Sequence, residues 1–172
     1  MSQEIQVRRL SPRDFPARRA ELAEVYRSAY VGMEKYAYRT PEEREAYLEW
    51  LFRGDPNGFL TVCQEDRVVA WAACHGAWVG PDGRTGAELH ELVVLPEAQG
   101  RGIGRTLLQA AFQLAEERGR DRIGLWVGRG NQRARRIYER AGFVVEREGR
   151  TWIRMVAPVA PGRADRDRSD AG

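Results

Sequence analysis

Three glycines at alternate positions, Gly100, Gly102 and Gly104, separate an apolar run, Leu92-Val93-Val94-Leu95-Pro96, from a second one that begins Arg105-Thr106-Leu107-Leu108. The pattern reads as a strand feeding the loop Gln99-Gly100-Arg101-Gly102-Ile103-Gly104, which opens directly into an amphipathic helix. Glycine leaves room for a ligand to approach the backbone, and it permits the φ values that turn successive N–H groups to one side. The helix start adds unpaired donors and the positive end of a dipole, which suits a phosphate or pyrophosphate. A Walker loop is excluded because no Gly-Lys-Ser/Thr follows. The dinucleotide fingerprint is excluded as well, since Arg105 stands where its third glycine belongs. A plain tight turn would use the same glycines, so the surrounding residues decide.

The elements that must position this loop follow from period and punctuation. Ile5 to Arg9 reads as a strand, and Ser11-Pro12 as a helix start with the hydroxyl as cap, followed by Leu22, Val25, Tyr26 and Ala29 at helical spacing. Thr40-Pro41-Glu42-Glu43 is a capping box for a second helix, with Tyr47, Leu48, Trp50 and Leu51 on its apolar face and Gly54-Asp55-Pro56 at its end. Phe59 to Gln64 and Arg67 to Trp78 form a hairpin about Glu65-Asp66, Gly80 to Gly86 a connection, and Ala87 to Leu95 the strand before the glycine loop. The helix after the loop stops at Gly119, Arg122 to Val127 is a strand, and Asn131 caps a helix closed by Gly142. Phe143 to Arg147 and Thr151 to Val156 make a last hairpin about Gly149. The order β-α-α-β-β-β-α-β-α-β-β predicts one α/β domain over residues 1–157, a mixed and mostly antiparallel sheet with helices on both faces. Residues 158–172 read as a disordered tail rich in Pro, Gly, Asp and Arg.

Composition bounds the partners. The 172 residues are 42% hydrophobic and 31% charged, with a formal net charge of +3. These are globular values, and the mild basicity lacks the clustered face expected of a nucleic-acid binder. Acidic residues are spread among the arginines, and Lys35 is the only lysine. No apolar run reaches the ~18 residues of a membrane span and no signal-peptide layout opens the chain, so a cytoplasmic protein without membrane partners is expected. Cys63 and Cys74 are too few for a disulfide framework or a cysteine-based zinc site and read as small core residues. No metal is expected.

Val94, Pro96 and Gln99-x-x-Gly102-x-Gly104 on strand, loop and helix resemble motif A of the GCN5-related N-acetyltransferase (GNAT) superfamily. Asn131-x-x-Ala134-x-x-x-Tyr138-x-x-x-Gly142-Phe143 is similar to motif B of that superfamily, in the right order and at the expected separation. The resemblance covers about Ala87 to Phe143. It implies the acyl-CoA N-acyltransferase fold, acetyl-CoA as co-substrate and transfer to an amine by direct attack in a ternary complex. Leu92, Val93 and Val94 would lie along the pantetheine arm, with the N–H near Leu92 donating to the thioester carbonyl. Backbone groups of Gln99, Gly100, Arg101, Gly102, Ile103, Gly104, Arg105 and Thr106 would form the diphosphate site, with Arg101 and Arg105 either adding charge or lying solvated. Asn131 caps its helix and, with Ala134 and Tyr138, falls on the implied CoA site.

An alkylammonium must lose a proton before it can attack. Glu88, His90 and Glu91 are the candidate acceptors, with ordered water as the alternative. Glu88 falls where the histone acetyltransferase branch carries its general base, and His90 comes second. Strict alternation would put Glu88 and His90 on one face and Glu91 on the other. Trp126 occupies the position where some members keep a glutamate on the following strand. Tyr138 would protonate the departing thiolate, although its place on the stripe Ala134, Ile137, Tyr138, Ala141 also suits a core tyrosine. Tyr26, Tyr30, Tyr36, Tyr38, Tyr47 and Trp50, with Glu42, Glu43, Glu45 and Glu49 nearby, suit a cationic amine but would equally suit a core and a solvated face. The acceptor stays open between small and protein amines, the chain reads as a monomer or homodimer, and an acyl-CoA-binding regulatory module without turnover is the alternative function.

Overall fold

The structure, a computed structural model, describes residues 4–160. In chain order it contains β1 (Val7–Arg9), α1 (Phe15–Ala29), α2 (Pro41–Gly54), β2 (Phe59–Gln64), β3 (Arg67–Val79), β4 (Thr85–Val94), α3 (Ile103–Glu117), β5 (Arg122–Gly128), α4 (Gln132–Arg140), β6 (Val144–Glu148) and β7 (Trp152–Pro158). The succession of elements is the one read from the sequence. The strands form one mixed sheet in the order β1-β2-β3-β4-β5-β7-β6. Its parallel pair is β4 with β5, in register over Ala87↔Ile123, Glu88↔Gly124 and Leu89↔Leu125. No helix among the described residues is long and apolar enough to cross a membrane.

The chain divides into two compact units, Met1–His75 with His90–Ala111 and Gly76–Leu89 with Phe112–Gly172. The division runs through β3, β4 and α3, so neither unit is a continuous segment. In the first, an aromatic core ties α1 and α2 to the hairpin. Phe15 stacks on Phe52 with centroids 4.1 Å apart, Phe59 stacks on Trp71 at 5.1 Å, and the Trp71 indole donates to the Leu22 carbonyl at 3.0 Å. Trp71 is fully buried, and its loss would cost ~3–5 kcal/mol. The hairpin turn places Glu65 and Asp66 at φ 49° and 65°, the twist that a two-residue connection requires.

Helix α2 starts as expected. Thr40 Oγ1 accepts from the Glu43 N–H at 3.1 Å while the Glu43 carboxylate accepts from the Thr40 N–H at 3.0 Å, a cap worth about 1 kcal/mol. Helix α1 does not start at Ser11-Pro12. Ser11 Oγ instead accepts from the Asp14 N–H at 3.1 Å, closing a lead-in turn, and the helix begins at Phe15 with proline in its first turn. A serine followed by proline serves either device.

In the second unit β7 pairs antiparallel with β5 from Gly128↔Trp152 to Arg122↔Pro158, and with β6 on its other side. Helix α4 is capped by Asn131, whose Oδ1 accepts from the Ala134 N–H at 3.2 Å. Gly142, at φ +97°, ends it and turns Phe143 onto Phe112 and Tyr138 at 5.6 and 5.7 Å. The ordered chain passes the expected boundary: Pro158 is in β7, and the Val159 N–H donates to the Asp121 carbonyl at 2.9 Å. The rest of the expected tail, from 161 on, lies outside the described residues.

Candidate active site

The glycine loop joins the end of β4 to the start of α3. Gly100 and Gly102 have φ +77° and +84°, the left-handed region that turns backbone N–H groups outward. The Gln99 side chain donates to the Val94 carbonyl at 3.1 Å and holds the loop against its strand. Ile103 is buried and anchors the helix, while the N–H groups of Ile103, Gly104 and Arg105 belong to its first turn and have no intrahelical acceptor. A Cβ on Gly104 would meet only Leu92 and Val94, at 3.7 and 3.8 Å, and one on Gly100 nothing within 4 Å. Packing within the chain therefore does not demand a bare backbone at 104. The positive φ of Gly100 and Gly102, the first-turn N–H groups and the helix end suit an anionic group such as a diphosphate. Two of the expected contributors are engaged elsewhere. The Gln99 N–H donates to the Pro96 carbonyl at 3.3 Å, and Thr106 turns its N–H and hydroxyl to the Gly102 carbonyl at 3.0 and 3.1 Å.

The same unit contains an open cavity of about 520 Å³ lined by Tyr38, Glu43, Ala46, Tyr47, Trp50 and His90. Of the aromatics singled out in the sequence, Tyr38, Tyr47 and Trp50 reach it. Tyr26 instead is buried, its hydroxyl accepting from the Tyr38 N–H at 3.1 Å. Glu43 brings a fixed negative charge, since its carboxylate also accepts from the Arg39 N–H at 3.0 Å and these backbone donors hold it below the usual carboxylate range. Glu49 pairs with Arg53 and Arg19.

The three titratable residues of β4 have separate environments. His90 lines the cavity, with Trp50 5.0 Å from its ring and His75 Nδ1 3.1 Å from its Nε2. Glu91 is buried, its carboxylate accepting from the Tyr30 hydroxyl at 2.8 Å and the Tyr47 hydroxyl at 3.3 Å. Burial pushes this carboxyl up to about 7, against the opposing pull of the two phenols and the Leu92 N–H. Burial and the nearby Glu91 charge keep both phenols protonated well beyond neutral pH. His90 and Glu91, adjacent in sequence, thus both reach α2, which strict alternation would not allow.

Glu88 belongs to the second unit and is 2% exposed. One of its oxygens is hydrogen-bonded to Arg154 in a fully buried ion pair, and burial raises its carboxyl despite that cation. Arg154 lies flat over Gly124 and 5.6 Å from the Trp126 ring centroid. Tyr138 sits on α4 against Phe143. Both cysteines are free thiols; Cys74 is fully buried in the core, whereas Cys63 is only half-buried.

The sequence did not disclose His75, its packing against Gly54 or the tyrosine clasp on Glu91. No local pattern ties His75 to a residue fifteen positions on.

The chain resembles known proteins in sequence and in fold. Residues 19–143 match the model of the Acetyltransferase (GNAT) family. An uncharacterised N-acetyltransferase of Methanocaldococcus jannaschii is 36% identical over 140 residues, covering 81% of this chain and 62% of that protein. Another from Archaeoglobus fulgidus is 39% identical over 119 residues, 69% and 81% of the two chains. A crystal structure from Pyrococcus horikoshii superposes with TM-score 0.81 at 33% identity, over 90% of this chain and 98% of that one. The PaiA N-acetyltransferase of Thermoplasma acidophilum, solved with coenzyme A, has the same fold with TM-score 0.68 at 23% identity, over 91% and 99%. The fold is that of the acyl-CoA N-acyltransferases. The chain belongs to the GNAT family of acetyltransferases.

Proposed function

We propose that the chain transfers an acetyl group from acetyl-CoA to a primary amine by direct attack within a ternary complex. The observation that carries this reading is the backbone of residues 100–105, whose outward donors and unfilled glycine positions suit a diphosphate. Bound acetyl-CoA would supply an activated thioester. Arg101 and Arg105 would add charge beside the diphosphate, and the main chain of Leu92–Val94 would pair with the pantetheine arm. That the PaiA protein was solved with coenzyme A supports the same ligand here.

The cavity beside His90 supports an ammonium acceptor. Tyr38, Tyr47 and Trp50 offer aromatic faces, Glu43 a fixed anion, and no arginine or lysine is among the lining residues. Of the residues on β4, His90 is the one that lines this cavity, so we assign it the proton. Glu88 would regain that role if Glu88→Gln lost most activity at low pH. The bond balance is simple: nitrogen–carbon forms and carbon–sulfur breaks. The ammonium gives one proton before attack and one after; one ends on sulfur, donated by Tyr138 in the motif-based assignment, and one leaves to solvent. Positioning and the carbonyl donor supply most of the acceleration.

The test is free-thiol release from acetyl-CoA across a panel of polyamines, amino-acid amides and peptide amines, with calorimetry of acetyl-CoA alone. Saturable release with at least one primary amine is expected. Tight binding without release from any of them would instead indicate a regulatory acyl-CoA-binding module, and no binding would refute both.

A further inference from the structure

We infer that His75 and His90 form a two-histidine proton relay seated on the C-terminal end of α2, in which His75 positions His90 to take the proton of the acceptor amine. This rests on the acetyltransferase reading of the cavity; the relay itself is argued from hydrogen-bond directions.

The His75 Nε2 lies 3.0 Å from the Leu51 carbonyl oxygen. A carbonyl only accepts, so Nε2 carries the hydrogen and a neutral His75 has its lone pair on Nδ1. That Nδ1 is 3.1 Å from His90 Nε2, which must therefore donate. A neutral His90 then has its lone pair on Nδ1 and is set in the tautomer whose second nitrogen can accept a proton. The two rings meet edge to face, with centroids 4.2 Å apart, and Trp50 flanks both at 5.3 and 5.0 Å.

The seat is specific. His75 is 4% exposed, and its ring occupies the space a side chain at Gly54 would take: a Cβ there would fall 2.0 Å from His75 Cε1 and 2.3 Å from Nε2. Gly54 is the last residue of α2, which makes Leu51 one of four terminal residues whose carbonyls have no intrahelical donor. That end of the helix is its negative pole and favours a cation.

The step balances as a transfer of one proton. The ammonium gives its proton to His90 Nδ1, and His90 passes its Nε2 hydrogen to His75 Nδ1. The positive charge then rests on His75, against the Leu51 carbonyl, and not beside the reacting amine. Among the described residues, the titratable groups that line the cavity with His90 are Tyr38, Glu43 and Tyr47, and Glu91 neighbours His90 on β4, held by Tyr30 and Tyr47. Asp55, buried, follows Gly54.

The chain contains only two histidines, so protein labelled with ¹⁵N-histidine gives two imidazoles to assign by long-range ¹H–¹⁵N correlation. At alkaline pH both rings should carry hydrogen on Nε2. His75→Phe should leave His90 in a tautomer mixture, lower kcat/KM about tenfold, one decade of the ~10²–10⁴ a general base contributes, and move the acidic limb of its pH profile while the KM for acetyl-CoA holds. His75→Asn, whose amide oxygen can stand in for Nδ1, should recover part of the loss. Gly54→Ala, which displaces an intact His75, should act in the same direction and serves if His75→Phe does not fold. Hydrogen on Nδ1 of either ring, or an unmoved pH limb in both variants, overturns the relay even where amines are acetylated. The expected tautomers in a protein that acetylates no amine overturn the acetyltransferase reading and with it the relay's role.

Discussion

Replacing Glu91 with glutamine should flatten the pH dependence of stability. The folded protein holds this carboxyl near pH 7, whereas the unfolded chain ionises it near its usual 4.5. Between those values the folded chain keeps a proton that the unfolded chain has lost. The stabilisation is therefore complete below pH 4.5 and disappears as pH rises to about 7. At about 1.4 kcal/mol per pH unit, the loss between pH 5 and pH 8 is about 3 kcal/mol. Glutamine does not titrate, and its oxygen and amide can each meet one of the two phenols that hold Glu91. Urea unfolding at pH 5 and pH 8 isolates the effect, because every other group titrates in both proteins. The variant should nearly match the parent at pH 5 and exceed it by about 3 kcal/mol at pH 8, a midpoint gain of ~1–2 M urea at an unchanged slope. A difference between the two proteins that is the same at both pH values would refute the reasoning.

Gly104→Glu should abolish acetyl-CoA binding by calorimetry while the melting temperature holds, because the new Cβ has only contact-distance neighbours but its carboxylate would lie in the proposed diphosphate seat. Gly124→Ala should destabilise by ~3 kcal/mol in denaturant, since its Cβ would fall 2.2 Å from Arg154 Nη2 and break the buried pair with Glu88. Tyr138→Phe should lower kcat by about tenfold or less with unchanged stability, because a thiolate leaving group needs only modest acid help; kcat measured beside a melting curve checks both.

What could be read from the sequence was local. The glycine loop, the Thr40 cap, the Glu65-Asp66 hairpin and the Asn131 cap each declare themselves within five or six residues, and each is present. The misplaced start of α1 shows the limit of that signal, because Ser11-Pro12 satisfies a turn as well as a cap. The site's electrostatics are long-range. Glu88 meets Arg154 sixty-six positions away, Glu91 meets Tyr30 sixty-one positions away, and His75 needs a missing side chain at Gly54. Alternation along β4 assigned faces to Glu88, His90 and Glu91, yet tyrosines and a tryptophan from helices decide which of them is wet, clasped or paired.

Ala46 and Trp50 both line the cavity and lie one helical turn apart on α2. If the cavity takes the acceptor as proposed, together they form a gauge for its girth that can be reset without disturbing either end of the helix. Enlarging the alanine should narrow the intake toward slender amines, and trimming the tryptophan should admit bulkier ones. Under the proposed assignment, selection for new acceptors could therefore act on two side chains of one rigid rod, while donor recognition would rest largely on peptide groups that side-chain drift barely touches.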